Sequence, residues 1–236
     1  MKINHTYRSP NFGPRPKTAD INMLLLHYTG MQTGKEALER LCDSAAQVSA
    51  HYLIEEDGEI FQLVPEELRA WHAGVAYWGG ETDINSCAIG IEIVNPGHEW
   101  GYRPFPTAQM KAVAVLSKEI LERHSIPASR VLAHSDVAPE RKEDPGELFD
   151  WAYLAKQGIG AYPDETAQNI PIAEDDFLLK LGEYGYQVDI KSPTESVTKA
   201  AIIAFQRHFR PSKLNGKIDP ECCQILADLY SQLDDS

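Results

Sequence analysis

Apolar positions along the chain fall into two rhythms. Asn22-Met23-Leu24-Leu25-Leu26-His27-Tyr28 is hydrophobic on both faces and is closed by Thr29-Gly30. That pattern predicts a central strand covered on both sides. Ala37, Leu38 and Leu41 then recur at helical spacing within 34–44, and 47–54 returns to extended, β-branched and aromatic character. Glu56-Asp57-Gly58-Glu59 places an Asp-Gly turn between Tyr52-Leu53-Ile54 and 60–64, which predicts a β-hairpin. After a Gly- and Trp-containing loop over 71–80, residues 87–94 form another strand pattern, with Ile89, Ile91 and Ile93 on one face and Ala88, Gly90 and Glu92 on the other.

The helical rhythm dominates the rest. Met110, Val113, Ala114, Ser117, Leu121 and His124 mark one face of a long helix, with Thr107 as its N-cap and Pro127 beyond its end. Residues 130–133 read as a short strand and 146–156 as a helix. A strand-helix alternation interrupted by a hairpin gives an α/β fold: a mixed central β-sheet flanked by helices. Gly158, Gly160, Pro163 and Pro171 break every period, so 1–160 is one domain and 161–173 a linker. Amphipathic patterns at 174–184, 194–209 and 219–233, separated at Pro193 and Asn215-Gly216, predict a small all-α three-helix C-terminal domain over 174–236.

Composition narrows the partners. The 236 residues carry 22 Lys+Arg against 35 Asp+Glu, a net charge of −13, and the sign is negative on both sides of residue 170. No basic stripe is present, so nucleic acid is excluded as a partner. No apolar run reaches the ~18 residues of a membrane span. The first residues, Met1 to Thr6, lack the apolar core of a signal peptide, so the chain reads as cytoplasmic, with the cell envelope as the alternative if a leader was removed. Cys42, Cys87, Cys222 and Cys223 form neither a disulfide framework nor a C-x-x-C pattern, and read as reduced thiols.

Chemistry concentrates in His134-Ser-Asp-Val-Ala-Pro-Glu-Arg-Lys-Glu-Asp-Pro-Gly146, where two prolines stiffen a loop behind a strand. Lys142 and Asp144 share a side if that loop is extended; a surface ion pair is the plainer reading. His27 closes the most buried strand, where a polar ring needs a partner. Alone it is a satisfied core histidine. With His134 and Asp144 it makes an N/N/O set of the kind that holds catalytic zinc and leaves a fourth position open. Glu92 sits among small residues on an apolar strand. There its carboxyl is either a general base with a raised pKa or the solvated face of an edge strand. His51, flanked by apolar alternation, reads as structural; Trp71 and His72 in the loop read equally as packing or as binding residues. Asn95 and His98 follow the Glu92 strand, Asn95 within reach of a substrate and His98 simply exposed.

Leu25-Leu26-His27-Tyr28-Thr29-Gly30, Val48-Ser49-Ala50-His51-Tyr52-Leu53-Ile54, Ala70-Trp71-His72-Ala73-Gly74, Ile89-Gly90-Ile91-Glu92-Ile93 and His134 to Pro139 with Arg141 to Gly146 together resemble the zinc-dependent N-acetylmuramoyl-L-alanine amidases. These are the type 2 amidases, relatives of the peptidoglycan recognition proteins. The motifs run in order across about 20–160. The resemblance implies that His27, His134 and Asp144 hold Zn²⁺, that Glu92 activates water and that Lys142 faces the developing oxyanion. It also implies that Trp71 and His72 border the substrate groove. Ala201 to Phe209 and Asn215 to Asp219 resemble the family's helical peptidoglycan-binding module. The implied reaction is hydrolysis of the amide between N-acetylmuramic acid and L-alanine, in peptidoglycan or anhydro-muropeptides. Two other readings compete: a receptor that binds peptidoglycan without cutting it, and a zinc peptidase acting on another amide.

Overall fold

The doubly apolar run 22–28 and the isoleucine-rich run 87–94 lie side by side in the middle of a mixed sheet. In chain order the first elements are β1 (Ile3–Asn4), β2 (Phe12–Pro14), β3 (Met23–Tyr28), α1 (Gly34–Cys42), β4 (Tyr52–Ile54), β5 (Ile60–Gln62), β6 (Leu68–Ala70), α2 (Ile84–Cys87) and β7 (Ala88–Ile93). Then follow α3 (Gly97–Trp100), α4 (Thr107–His124), β8 (Val131–Ala133), α5 (His134–Val137), α6 (Trp151–Lys156), α7 (Phe177–Tyr184), α8 (Glu195–Phe209) and α9 (Pro220–Ser231). This computed structural model describes residues 2–164, 166–167, 169–189 and 195–233. Pro193, residue 194 and linker positions 165 and 168 lie outside the described residues.

The main sheet has the order β1-β5-β4-β7-β3-β8, and β2 pairs with β6 in a separate ribbon. β4 and β5 form the antiparallel hairpin expected around Asp57-Gly58, with Gly58 at φ +90° in its turn. Every other pairing in the main sheet is parallel. In consequence β3, β7 and β8 all end at one edge, where open α/β sheets form their binding crevices.

Strand alternation assigns the two faces. Leu24, Leu26, Ile89, Ile91 and Ile93 pack with Met110, Val113, Leu116 and Ile120 of α4. Met23 and Leu25, on the opposite face, share one core with Trp78 and with Phe177, Leu181, Phe205 and Leu226 from α7, α8 and α9. The C-terminal helices thus continue one core with this face of the sheet, with α5 between β3 and α8. A smaller cluster seats α1, through Ala37, Leu38 and Leu41, against Leu53 and Phe61.

Several local details depart from the sequence reading. Thr107 is the first residue of α4, and no side-chain cap closes that end. Helix α6 begins at Trp151, with Asp150 accepting from Tyr153 N–H, and the chain from Gly146 to Phe149 is irregular. The segment after β8 opens directly into a single helical turn, α5. Strands β1, β2 and β6, each of two or three residues, are too short for periodicity to register. All four cysteines are free. Among the described residues no helix is long and apolar enough to cross a membrane.

Candidate metal centre and active site

Parallel register brings the predicted residues together. His27 and Glu92 are partners across β3 and β7. Leu26 pairs with Ala133, so His134, one step past the end of β8, stands beside His27 at the sheet's carboxyl edge. Asp144 arrives from the far end of the same loop. Ser135 N–H donates to the Asp144 carbonyl at 3.0 Å, tying the two ends of the loop to each other.

Three atoms then converge. His27 Nδ1 lies 2.9 Å from His134 Nδ1 and 3.1 Å from Asp144 Oδ2, and His134 Nδ1 lies 3.0 Å from the same oxygen. All three residues are buried. His134 Nε2 faces the Ala73 carbonyl at 2.9 Å, so it carries the ring proton and leaves Nδ1 bare. His27 Nε2 meets His72 Nδ1 at 3.1 Å, and with its proton there Nδ1 of His27 is bare as well. Three lone pairs point at one another with no proton between them, an arrangement that a divalent cation resolves. A triangle with ~3 Å sides has points just off its plane ~2 Å from each corner, the bond length of zinc to imidazole nitrogen and carboxylate oxygen. The residues present therefore fit a metal.

Electrostatics agree with that donor set. Burial, reinforced by His134, brings His27 down to about 4, so the ring is neutral at pH 7, the state in which it could bind a metal. Burial pushes the Asp144 carboxyl up, but the adjoining His134 and His27 rings pull it down further. The net result lies well below the usual carboxylate range. Glu92 moves the other way: burial, then the charge of Asp144, raises it well above its ordinary value while Lys142 opposes. Its Oε2 is buried without a hydrogen-bond partner among the described residues.

These groups line one cavity of about 400 Å³, which also takes in Tyr28, Arg40, Trp71, His72, Arg141 and Lys142. The Lys142 ammonium makes no hydrogen bond or ion pair among the described residues; only its backbone N–H is engaged, on Ala138 O. It borders the cavity beside Asp144 instead of pairing with it. His72 reaches the cavity but is also packed beneath His27. The space it occupies exists because residue 90 is glycine: a Cβ there would stand 2.5 Å from His72 Cγ. Behind it His51 is fully satisfied, with Gly90 N–H donating to Nδ1 and Nε2 set against Leu68 O, so its structural reading holds.

Asn95 requires a correction. It does not line the cavity; it is 1% exposed, donates to Arg103 O at 2.7 Å and accepts from Gly97 N–H at 3.1 Å. Its amide shapes the loop after β7, buried away from the cavity wall. Arg141 was given no role from the sequence, yet it lines the cavity and its guanidinium donates to Val75 O and Ala73 O. Its place beside Lys142 in the stiff loop was the available signal.

A family model described as N-acetylmuramoyl-L-alanine amidase matches residues 17–147, a span that contains all five of His27, Glu92, His134, Lys142 and Asp144. The chain belongs to that family. It is 39% identical over 236 aligned positions to the N-acetylmuramoyl-L-alanine amidase AmiD of Escherichia coli, covering 90% of this chain and 84% of the relative. It is 35% identical over 162 positions to the 1,6-anhydro-N-acetylmuramyl-L-alanine amidase AmpD of Haemophilus influenzae, covering 61% of this chain and 86% of that one. Among solved structures, AmiD in complex with anhydro-N-acetylmuramic acid-L-Ala-D-γ-Glu-L-Lys has a TM-score of 0.80 at 38% identity, with 92% of each chain covered. AmpDH3 of Pseudomonas aeruginosa has a TM-score of 0.82 at 31% identity, with 99% of each chain covered. This amidase is accordingly a hydrolase of the amide bond between N-acetylmuramic acid and L-alanine in peptidoglycan or its muropeptide fragments.

Proposed function

We propose that the amidase is a zinc enzyme, that His27, His134 and Asp144 are its ligands, and that anhydro-muropeptides are its substrates. The triangle of three bare donor atoms about 3 Å apart carries the metal assignment. Two neutral imidazoles and one carboxylate are a donor set that zinc favours over harder ions, and they leave one position open. When bound, zinc would supply Lewis acidity, making water nucleophilic near neutral pH and polarising the scissile carbonyl.

The chain's own residues do the rest. Glu92, held at the edge of the cavity with a raised carboxyl pKa, takes a proton from the attacking water and returns it to the nitrogen of the leaving L-alanine. Lys142, at the cavity wall with no ion pair among the described residues, faces the negative charge that grows on the carbonyl oxygen, where one well-placed donor is worth roughly 3–4 kcal/mol. Trp71 offers an aromatic face along the same wall for a sugar ring or the lactyl group. Arg40 and Arg141 give the cavity positive charge suited to the carboxylates of a stem peptide.

The solved complex of AmiD contains an anhydro-muramyl tripeptide, and AmpDH3 is solved with an anhydromuramic pentapeptide. These support the anhydro-sugar substrate proposed here. The C-terminal helices are proposed to hold glycan or stem peptide. Parallel digestion of soluble anhydro-muropeptide and of intact sacculi tests the preference, with release of free stem peptide expected to be faster from the soluble substrate. A faster rate on sacculi would reverse it.

A further inference from the structure

Asp136 is 0% exposed and lies two residues past the ligand His134. Its carboxylate is fully engaged. Oδ2 accepts from Ala133 N–H at 2.8 Å and from His208 Nδ1 at 2.7 Å; Oδ1 accepts from the Tyr186 hydroxyl at 2.7 Å. The first bond closes the turn that carries His134. The other two donors come from much later in the chain, just after α7 and near the end of α8.

Neither donor is free to drift. The His208 ring is stacked against Trp151 at 3.8 Å and against Phe209 at 4.0 Å. Its Nε2 is buried without a partner among the described residues, so Nδ1 is the nitrogen engaged. The Tyr186 ring is 1% exposed and lies edge-on to Trp78 at 4.8 Å. α5 touches β3 and α8 alike, and its residue Ser135 binds the Asp144 carbonyl. One short helical turn therefore links two ligands to the C-terminal helices.

We infer that Tyr186 and His208 are positioning residues of the metal centre, which act through Asp136 to hold the 133–137 turn, and with it His134 and Asp144, at ligand geometry. On this inference the C-terminal helices complete the catalytic site in addition to any part they play in binding glycan. A buried carboxylate that loses one of its donors must rotate or take up water, and either response loosens the turn it was clamping. The effect reaches the metal as other outer-shell changes do, typically 10–100-fold in affinity or activity.

The inference rests on the zinc reading, and the test separates the two. Zinc affinity, by competition with a chromogenic chelator, and the melting temperature of the metal-free protein are measured for the full chain and for Tyr186→Phe, His208→Phe, His208→Asn and Phe177→Leu. Tyr186→Phe and His208→Phe are expected to weaken zinc binding about 10-fold and to lower kcat with KM unchanged. His208→Asn, which keeps a donor near the Nδ1 position, is expected to recover most of the affinity. Phe177→Leu trims the same core without touching Asp136, and is expected to lower the melting temperature alone. Wild-type zinc affinity in Tyr186→Phe and His208→Phe would overturn the inference, as would an equal loss in Phe177→Leu. A wild-type chain that takes up no zinc would overturn the metal reading first, and this inference with it.

Discussion

His27 and Glu92 stand opposite one another across β3 and β7, so a proposed ligand and the proposed base are set by a single ladder of backbone hydrogen bonds. Neither depends on a loop for its position. Glu92→Gln keeps the shape and removes the base. It is expected to bind zinc with wild-type stoichiometry while turnover of anhydro-muropeptide falls roughly 10²–10⁴-fold. Metal content and single-turnover rate, measured on one preparation, check both halves; a fully active variant would remove Glu92 from the mechanism.

Zinc should also be a folding ligand. At a thousandfold excess over its dissociation constant, a metal bound only by the folded state stabilises it by ~4 kcal/mol. Differential scanning calorimetry is therefore expected to show a zinc-dependent rise in melting temperature for the wild type. His27→Ala and Asp144→Asn are expected to lose that rise together with activity. A rise that persisted in His27→Ala would place the metal elsewhere.

Gly90 is a conformationally ordinary strand residue whose side chain is missing for a reason of space. In Gly90→Ala the new Cβ would meet His72 Cγ at 2.5 Å and Nδ1 at 2.6 Å. Because the clash falls on the ring beneath His27, the expected result is a loss of about 1–3 kcal/mol together with weaker zinc binding. Chemical denaturation and chelator competition measure the two effects separately. Loss of stability with unchanged zinc affinity would show that His72 supports the strand alone.

Much of this site was legible in the sequence because the signals were local. A histidine closing a doubly apolar strand, and a glutamate alternating with Ala88 and Gly90, are statements about neighbours two residues apart. The parallel sheet then did what strand patterns cannot encode, aligning Leu26 with Ala133 so that His134 reaches His27. What escaped was long-range or very short. Asn95 looked available because nothing in its neighbourhood announces that its amide will bind Arg103 O and Gly97 N–H. The amphipathic faces of α7, α8 and α9 declared that something would be buried there, without saying that the core they enter would be the one that holds Trp78, Met23 and Leu25. His208 and Tyr186 carried no sign of Asp136, 72 and 50 residues away.

Glu66 makes a stability prediction independent of the metal. Burial alone would raise its carboxyl. Hydrogen bonds from Arg123, Tyr52 and His124 hold it down to about 2, joining the chain after β5 to the end of α4. A carboxylate depressed on folding stabilises the native state above its unfolded pKa of ~4.3, and that contribution disappears as pH falls toward the folded value. Glu66→Gln is thus expected to cost roughly 1–3 kcal/mol at pH 7, with the gap from wild type closing between about pH 4 and pH 2. Urea denaturation across that range checks it. A gap independent of pH would assign the loss to packing.

The most direct test of the zinc assignment is the rate of cleavage between the lactyl group and L-alanine as zinc is titrated into chelator-stripped protein, followed by mass analysis of the released stem peptide. The rate should be negligible without metal, rise linearly and level off at one equivalent, with His27→Ala flat throughout. Full cleavage by the stripped protein, or a plateau unaffected by losing His27, would contradict it.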